Sequence, residues 1–251
     1  MDRLLDSQFN THEASSQHSL TSMPSIIAYH GWGFAANCWA GWQQTMEQRG
    51  YRFQASDRGY FGQPVSPKFA ASDGPKIIWA HSYGLHLCPV EQLQQADGLV
   101  LFSSFRDFHP VPPQRRRSEY MLQQMIDRFA KEPQLVLSRF KAKSYHPVSW
   151  SEENQEFSLN TDLLLHDLQA LNDCSLDLNL LQALPQIGLL HGTADRIVPV
   201  AKSAELAAVL PQSQFFEIAD AGHALPFTHS LLCESMCEPI LNTILQSCFT
   251  P

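Results

Sequence analysis

The sequence predicts an α/β protein: a mostly parallel sheet of about six strands, flanked by helices, with a helical cap inserted over one edge. Three observations carry this prediction. Short apolar runs recur, each bounded by Gly, Pro, Ser or Asp, as in strands buried on both faces. Helix-length runs alternate with them, and that alternation builds a parallel sheet from right-handed crossovers. The alternation then stops at Phe105 and resumes near Gln186, with only helical patterns between.

In chain order, residues 1–24 read as a loose polar tail, ending in a short strand or turn. Ser25–Tyr29 is the first core strand, followed by a helix over Cys38–Gln48 and a strand over Arg52–Ser56. The strand Lys76–Ala80 leads into a helix over Leu85–Leu93, and Leu99–Phe102 closes the first half of the core. The stretch 105–185 reads as helices over Gln114–Lys131, Gln134–Lys143, Thr161–Leu171 and Leu178–Leu184. The first carries Met121, Leu122, Met125, Ile126 and Phe129 on one face, a helical stripe. A crossover on a sheet face needs only a dozen or more residues, so so long an insertion is read as a cap over the carboxyl edge. The core resumes with the strand Ile187–His191, a helix over Ala201–Leu210, the strand Phe215–Ile218 and a last helix from about His229 to Gln246. The core thus spans 25–104 and 186–251.

Composition narrows the function. The chain has 251 residues, enough for one large core with an insertion. No apolar run is long enough to span a membrane, and the first residues lack the apolar stretch of a secretory signal. The six cysteines, at 38, 88, 174, 233, 237 and 248, show neither CxxC spacing nor a metal-ligand pattern. They read as free thiols of a reducing compartment, so the cytoplasm is expected; a monomer without metal or organic cofactor is expected as well. Net charge is −8 but unevenly spread: Arg106 to Lys143 holds nine basic residues and four acidic ones. A basic island in an acidic protein points to a local acidic partner and argues against nucleic acid.

The chemistry is concentrated in three places. Ala80-His81-Ser82-Tyr83-Gly84 lies between a strand and a helix, the sharp turn that presents a nucleophilic serine. Ala70-Ala71-Ser72-Asp73-Gly74 matches the same pattern but precedes its strand, so Ser82 is preferred. A serine hydroxyl needs an adjacent base. Eleven histidines compete, and His223, after Gly222 in the loop that follows the last strand, is placed best; His229 ranks second. The acid that orients the imidazole is expected at Asp195, after the turn Gly192-Thr193-Ala194, rather than at Asp220, which is too near His223 along the loop. Tyr29-His30-Gly31-Trp32-Gly33 supplies a glycine-lined loop, so the amides of Trp32 and Tyr83 are the expected oxyanion donors.

Those segments, together with Asp57-Arg58-Gly59-Tyr60-Phe61-Gly62 and the run His191 to Pro199, resemble the motif series of the α/β-hydrolase superfamily from Ser25 onward. Within it, His-Gly-Trp-Gly and the arginine-bearing cap are most similar to pimeloyl-acyl-carrier-protein methyl ester esterases of biotin synthesis. The resemblance implies hydrolysis of a methyl ester on an acyl chain held by acyl carrier protein. It implies a triad of Ser82, Asp195 and His223. Arg115, Arg116 and Arg117 open the first cap helix, where positive charge opposes the helix dipole. With Arg128, Arg139 and Lys143 they form the expected carrier-binding patch. Ala80 replaces the usual first glycine of the serine turn. The short, proline-bearing link from Gly62 to Lys76 leaves little room for the helix the superfamily carries there. A general carboxylesterase or thioesterase fits the same site residues without needing the patch, and a non-catalytic binding protein of this fold is the remaining alternative.

Overall fold

The computed structural model describes residues 22–150 and 158–249. The tail expected at 1–24 therefore lies outside the described residues except for Ser22–Pro24, which are extended or irregular. Six strands form one sheet, every neighbouring pair parallel: β1 (Ser25–Tyr29), β2 (Arg52–Ser56), β3 (Lys76–His81), β4 (Gly98–Phe102), β5 (Ile187–Gly192) and β6 (Ser213–Ile218). Their order is β2-β1-β3-β4-β5-β6. The chain steps outward from β1 to β2, then returns across β1 to β3. Strand order therefore reverses between β1 and β3, and the loops leaving their carboxyl ends part to form a crevice there.

Helices follow in the order α1 (Ala40–Gln48), α2 (Gly84–Leu87), α3 (Val90–Leu93), α4 (Arg115–Phe129), α5 (Pro133–Tyr145), α6 (Thr161–Ala170), α7 (Leu178–Gln182), α8 (Ala201–Val209), α9 (Leu225–Thr228) and α10 (Ser230–Phe249). A 3₁₀ turn at Ala36–Trp39 precedes α1. No helix lies between Gly62 and Lys76, where three prolines break the chain. The helix expected over Leu85–Leu93 is instead two short ones. Pro89 forces Cys88 out of helical geometry (ψ 124°) and cannot donate to a preceding carbonyl.

The strands alternate faces with period two. Ile26, Ala28, Ile77, Trp79, Val100 and Phe102 join α1 and α10 in one buried cluster. Ile27, Tyr29, Ile78, Ala80, Leu99 and Leu101 join Leu85, Leu93, Leu206 and Leu210 in another, on the opposite face. A third cluster sits beyond the carboxyl ends of the strands. There Trp32, Tyr60 and Tyr83 of the core, with Phe105 at the start of the insertion, pack on Leu122, Ile126 and Phe129 of α4 and Leu164 and Leu168 of α6. Of the five-residue stripe read on α4, Leu122, Ile126 and Phe129 are buried, whereas Met121 is 57% exposed.

Polar contacts tie the inserted helices down. Asp167 of α6 is buried and accepts from the Arg58 guanidinium twice, at 2.7 and 2.8 Å, and from the Tyr60 hydroxyl at 2.7 Å. The Trp32 indole donates to the Leu164 carbonyl at 2.8 Å, and the Asn160 amide to the Tyr60 carbonyl at 2.8 Å. Among the described residues no helix is long and apolar enough to cross a membrane.

Candidate active site

Ser82 sits where β3 turns into α2, with φ at +55°. A non-glycine residue held in that region is strained, and neighbours must fix it. The Ser82 amide donates to the Phe102 carbonyl at 2.9 Å, and the Ser104 hydroxyl donates to the Ser82 carbonyl at 2.7 Å. Gly84 is dictated by space: a Cβ there would collide with the Tyr29 and His30 carbonyls at the end of β1. Gly31 is similar, since its Cβ would stand 2.9 Å from that of Ser82. The close approach of these two turns creates the site.

His223 reaches this point from the loop after β6. Its Nε2 lies 2.9 Å from Ser82 Oγ, and its Nδ1 lies 2.8 Å from Asp195 Oδ2. Because a carboxylate only accepts, Nδ1 carries the proton, and Nε2 is left to accept from the serine hydroxyl. The His223 and Asp195 side chains are wholly buried. Burial by itself would raise the Asp195 carboxyl, but the charge of His223 and hydrogen bonds from His191 and His223 hold it well below the usual carboxylate range. Its Oδ1 also accepts from the amides of Ile197 and Val198, at 2.7 and 2.9 Å. Asp195 is thus anionic at neutral pH and opposes a developing imidazolium.

The residues set aside from the sequence lie elsewhere. Ser72 is exposed in a turn at the opposite end of β3. Asp220 is exposed, and its backbone amide donates to the Thr193 hydroxyl at 3.1 Å. The His229 ring is engaged with the Thr228 hydroxyl at 2.9 Å. Around Ser82, the amides of Trp32 and Tyr83 have no hydrogen-bond acceptor among the described residues, as an oxyanion site requires.

A cavity of about 440 Å³ opens onto Ser82, walled by Trp32, Tyr83, Phe105, Met125, Leu168 and Val198. The six basic residues expected to form one patch divide into groups. Arg117 and Lys143 line the cavity. Arg115 pairs with Glu119 at 2.7 Å, one turn along α4, and Arg128 pairs at 3.2 Å with Glu132 in the link between α4 and α5. Arg116 and Arg139 are exposed. Two cations not anticipated from the sequence also line the cavity, Arg196 and Lys202. The Lys202 ammonium is buried and donates to the His109 carbonyl at 2.7 Å.

Three buried histidines beside the site, His30, His81 and His191, were not placed in it by the sequence. His30 accepts from the Arg58 amide at Nε2 (3.1 Å), so Nδ1 donates to the Gly31 carbonyl (2.9 Å); burial pushes it down to about 4, and it stays neutral. His81 donates from Nε2 to the His223 backbone carbonyl at 2.9 Å and packs against the His223 ring. His191 lies 3.1 Å from the Asp195 carboxylate. The one available signal was position: each stands within a segment that also carries a site residue or oxyanion amide.

No protein-family model matches the sequence. A curated relative, the pimeloyl-[acyl-carrier protein] methyl ester esterase of Vibrio parahaemolyticus, is 24% identical over 230 residues, covering 81% of this chain and 88% of that one. Among solved structures, an esterase from Exiguobacterium antarcticum aligns with a TM-score of 0.67 at 15% identity, over 90% of this chain and 93% of that one. A thermophilic esterase from Thermogutta terrifontis aligns at 0.65 and 20% identity, over 89% and 91%. A bromoperoxidase from Bacillus anthracis aligns at 0.66 and 14%, over 88% and 92%. With six parallel strands in this order, a serine on the turn after β3 and these structural likenesses, the chain has the α/β-hydrolase fold.

Proposed function

We propose that this protein is a serine ester hydrolase that demethylates pimeloyl-[acyl-carrier-protein] methyl ester in biotin synthesis. The single observation that carries the hydrolase reading is the buried line Ser82–His223–Asp195 at the floor of an apolar cavity. His223 takes the Ser82 proton as Oγ attacks the ester carbonyl. The tetrahedral oxyanion rests on the amides of Trp32 and Tyr83, and methanol leaves with the proton from His223. Water, activated by the same imidazole, then releases the acid and restores Ser82.

The finer substrate assignment is supported by the curated relative and by charge. An apolar cavity suits an acyl chain, and Arg117, Lys143, Arg196 and Lys202 set four cations against the lone carboxylate of Glu205 in its lining. Acyl carrier proteins are acidic, and their phosphopantetheine arm bears a phosphate, so such a lining favours the carrier-linked ester. The inserted helices act as a cap in this reading. A small free ester or thioester is the second reading, favoured by the pairing of Arg115 with Glu119 and of Arg128 with Glu132, which lessens the charge offered to a partner.

Rescue of a biotin auxotroph lacking its own esterase tests the assignment, with Ser82→Ala as control. Growth with the parent and none with the variant is expected. In vitro, Ser82→Ala lowers ester turnover roughly 10⁶-fold without altering the thermal midpoint. Hydrolysis of small esters without rescue would move the assignment to the second reading, and parental turnover by purified Ser82→Ala would end the hydrolase reading itself.

A further inference from the structure

His191 is a buried histidine with every polar atom engaged. Its Nδ1 lies 2.7 Å from the Ser203 hydroxyl, and its Nε2 lies 2.9 Å from the Val198 carbonyl and 3.1 Å from Asp195 Oδ2. A carbonyl only accepts, so Nε2 carries the proton and Nδ1 accepts from Ser203. That N–H is given to the Val198 carbonyl, and the carboxylate oxygen that also receives His223 Nδ1–H lies 3.1 Å from the same nitrogen. A line of close polar contacts thus runs through five side chains, Ser203–His191–Asp195–His223–Ser82. Both ends of the added segment are rigid: His191 is on β5 and Ser203 on α8, each buried.

We propose that His191 is a positioning residue for the acid of this site, fixing Asp195 Oδ2 beneath His223 and withdrawing part of its basicity; the kinetic side of this rests on the hydrolase reading. Asp195 has few single-bond rotations, yet its carboxylate can still turn about the Cβ–Cγ bond. The amides of Ile197 and Val198 hold one oxygen. The His191 Nε2–H edge packs 3.1 Å from the other and limits that turn. The groups facing this cluster are few. Asp195 and His223 touch it directly, and the His81 ring on β3 packs against that of His223 at a tilt. Arg196 and Lys202, the neighbours in sequence of Asp195 and Ser203, line the cavity instead.

The sign of the expected change follows. Without the His191 donor, Oδ2 is a stronger base and binds the His223 imidazolium more tightly. His223 then becomes harder to deprotonate, and the acid limb of kcat/KM moves to higher pH, by ~0.5–1 unit. His191→Met should show this shift together with a fall in kcat of about 10- to 100-fold. His191→Gln, whose amide N–H falls near the position of Nε2, should restore most of both. Ser203→Ala, which removes the hydrogen bond that anchors the ring at Nδ1 and lets the imidazole turn away from Oδ2, should shift the limb in the same direction but less.

The proton on His223 Nδ1 gives a readout that needs no turnover. Its downfield NMR resonance should move in His191→Met and Ser203→Ala, and should do so equally on a Ser82→Ala background. A moved resonance without ester turnover would therefore sink the hydrolase reading and leave the positioning role standing. An unchanged resonance and acid limb in a folded His191→Met protein would overturn the proposal. If that variant does not fold, parental values for both in Ser203→Ala overturn it.

Discussion

Ser82, His223 and Asp195 come from three loops far apart in sequence, yet each occupies its place for a local reason. The serine is lifted by a positive-φ turn that Gly84 permits, because a Cβ at 84 would strike the backbone of β1. Gly84→Ala is therefore expected to lower stability by about 1–3 kcal/mol, read as a reduced urea midpoint at unchanged slope. Asp195→Asn leaves the shape intact but exchanges the acceptor at Oδ2 for one that cannot hold the His223 tautomer. A fall in kcat of roughly 10⁴-fold at neutral pH is expected in steady-state assays, with little change in KM. These residues were readable because the chemistry requires fixed types at the ends of fixed strands. His81 and His191 were not, because their roles lie in which atom faces which neighbour.

Between elements, what matters is how the inserted helices hold to the core. The Asp167 carboxylate of α6 is the buried centre of one attachment, satisfied by Arg58 and Tyr60. Another lies at the end of α5, where the Ser144 carbonyl accepts from the Ala224 amide at 2.9 Å. That bond ties the insertion to the loop bearing His223. Asp167→Ala leaves the Tyr60 hydroxyl and half-exposed Arg58 without their acceptor and should cost about 1–3 kcal/mol. For a chain of this size that corresponds to a thermal midpoint lower by roughly 2–4 °C per kcal/mol, measurable by circular dichroism. The sequence marked the Arg58 and Tyr60 loop but offered no partner for it, since Asp167 looks like any polar residue of an amphipathic helix. The split of the expected 85–93 helix was open to local reasoning, because Pro89 alone accounts for it.

Across the whole molecule, buried titratable groups set a pH window for stability. Burial pushes His30 and His86 down to about 4, and holds His81 well below its ordinary value. A depressed histidine contributes stability that is present above its unfolded value near 6.5 and is lost as pH falls toward 4. Burial pushes the thiols of Cys88 and Cys233 up to about 12 and Cys174 up to about 11, and raises Cys237 well above its ordinary value. Their contribution is complete below about 8.5 and fades as pH rises toward 11–12. Urea midpoints should therefore be highest between about pH 6.5 and 8.5 and fall on both sides. A flat profile from pH 4 to 10 would contradict this. Charge is a property of the same scale. Reversal of Arg115, Arg116 and Arg117 to Glu should lower kcat/KM for a carrier-linked ester at least about tenfold, and less so at high salt. The loss on p-nitrophenyl acetate should be much smaller; equal losses would show the arginines to be structural.

The amino-acid order determined the strands, their parallel sense, the inserted helices and the three types and positions at the site, because hydrophobic period, turn chemistry and strand-end placement are local in the chain. Only the tertiary structure decided that the six cap cations separate into cavity-lining, ion-paired and exposed groups, that Arg196 and Lys202 join the cavity, and that His191 packs against the carboxylate of Asp195. Those outcomes depend on the direction each side chain takes after packing. That direction is set by neighbours brought from distant parts of the chain, which no local pattern encodes.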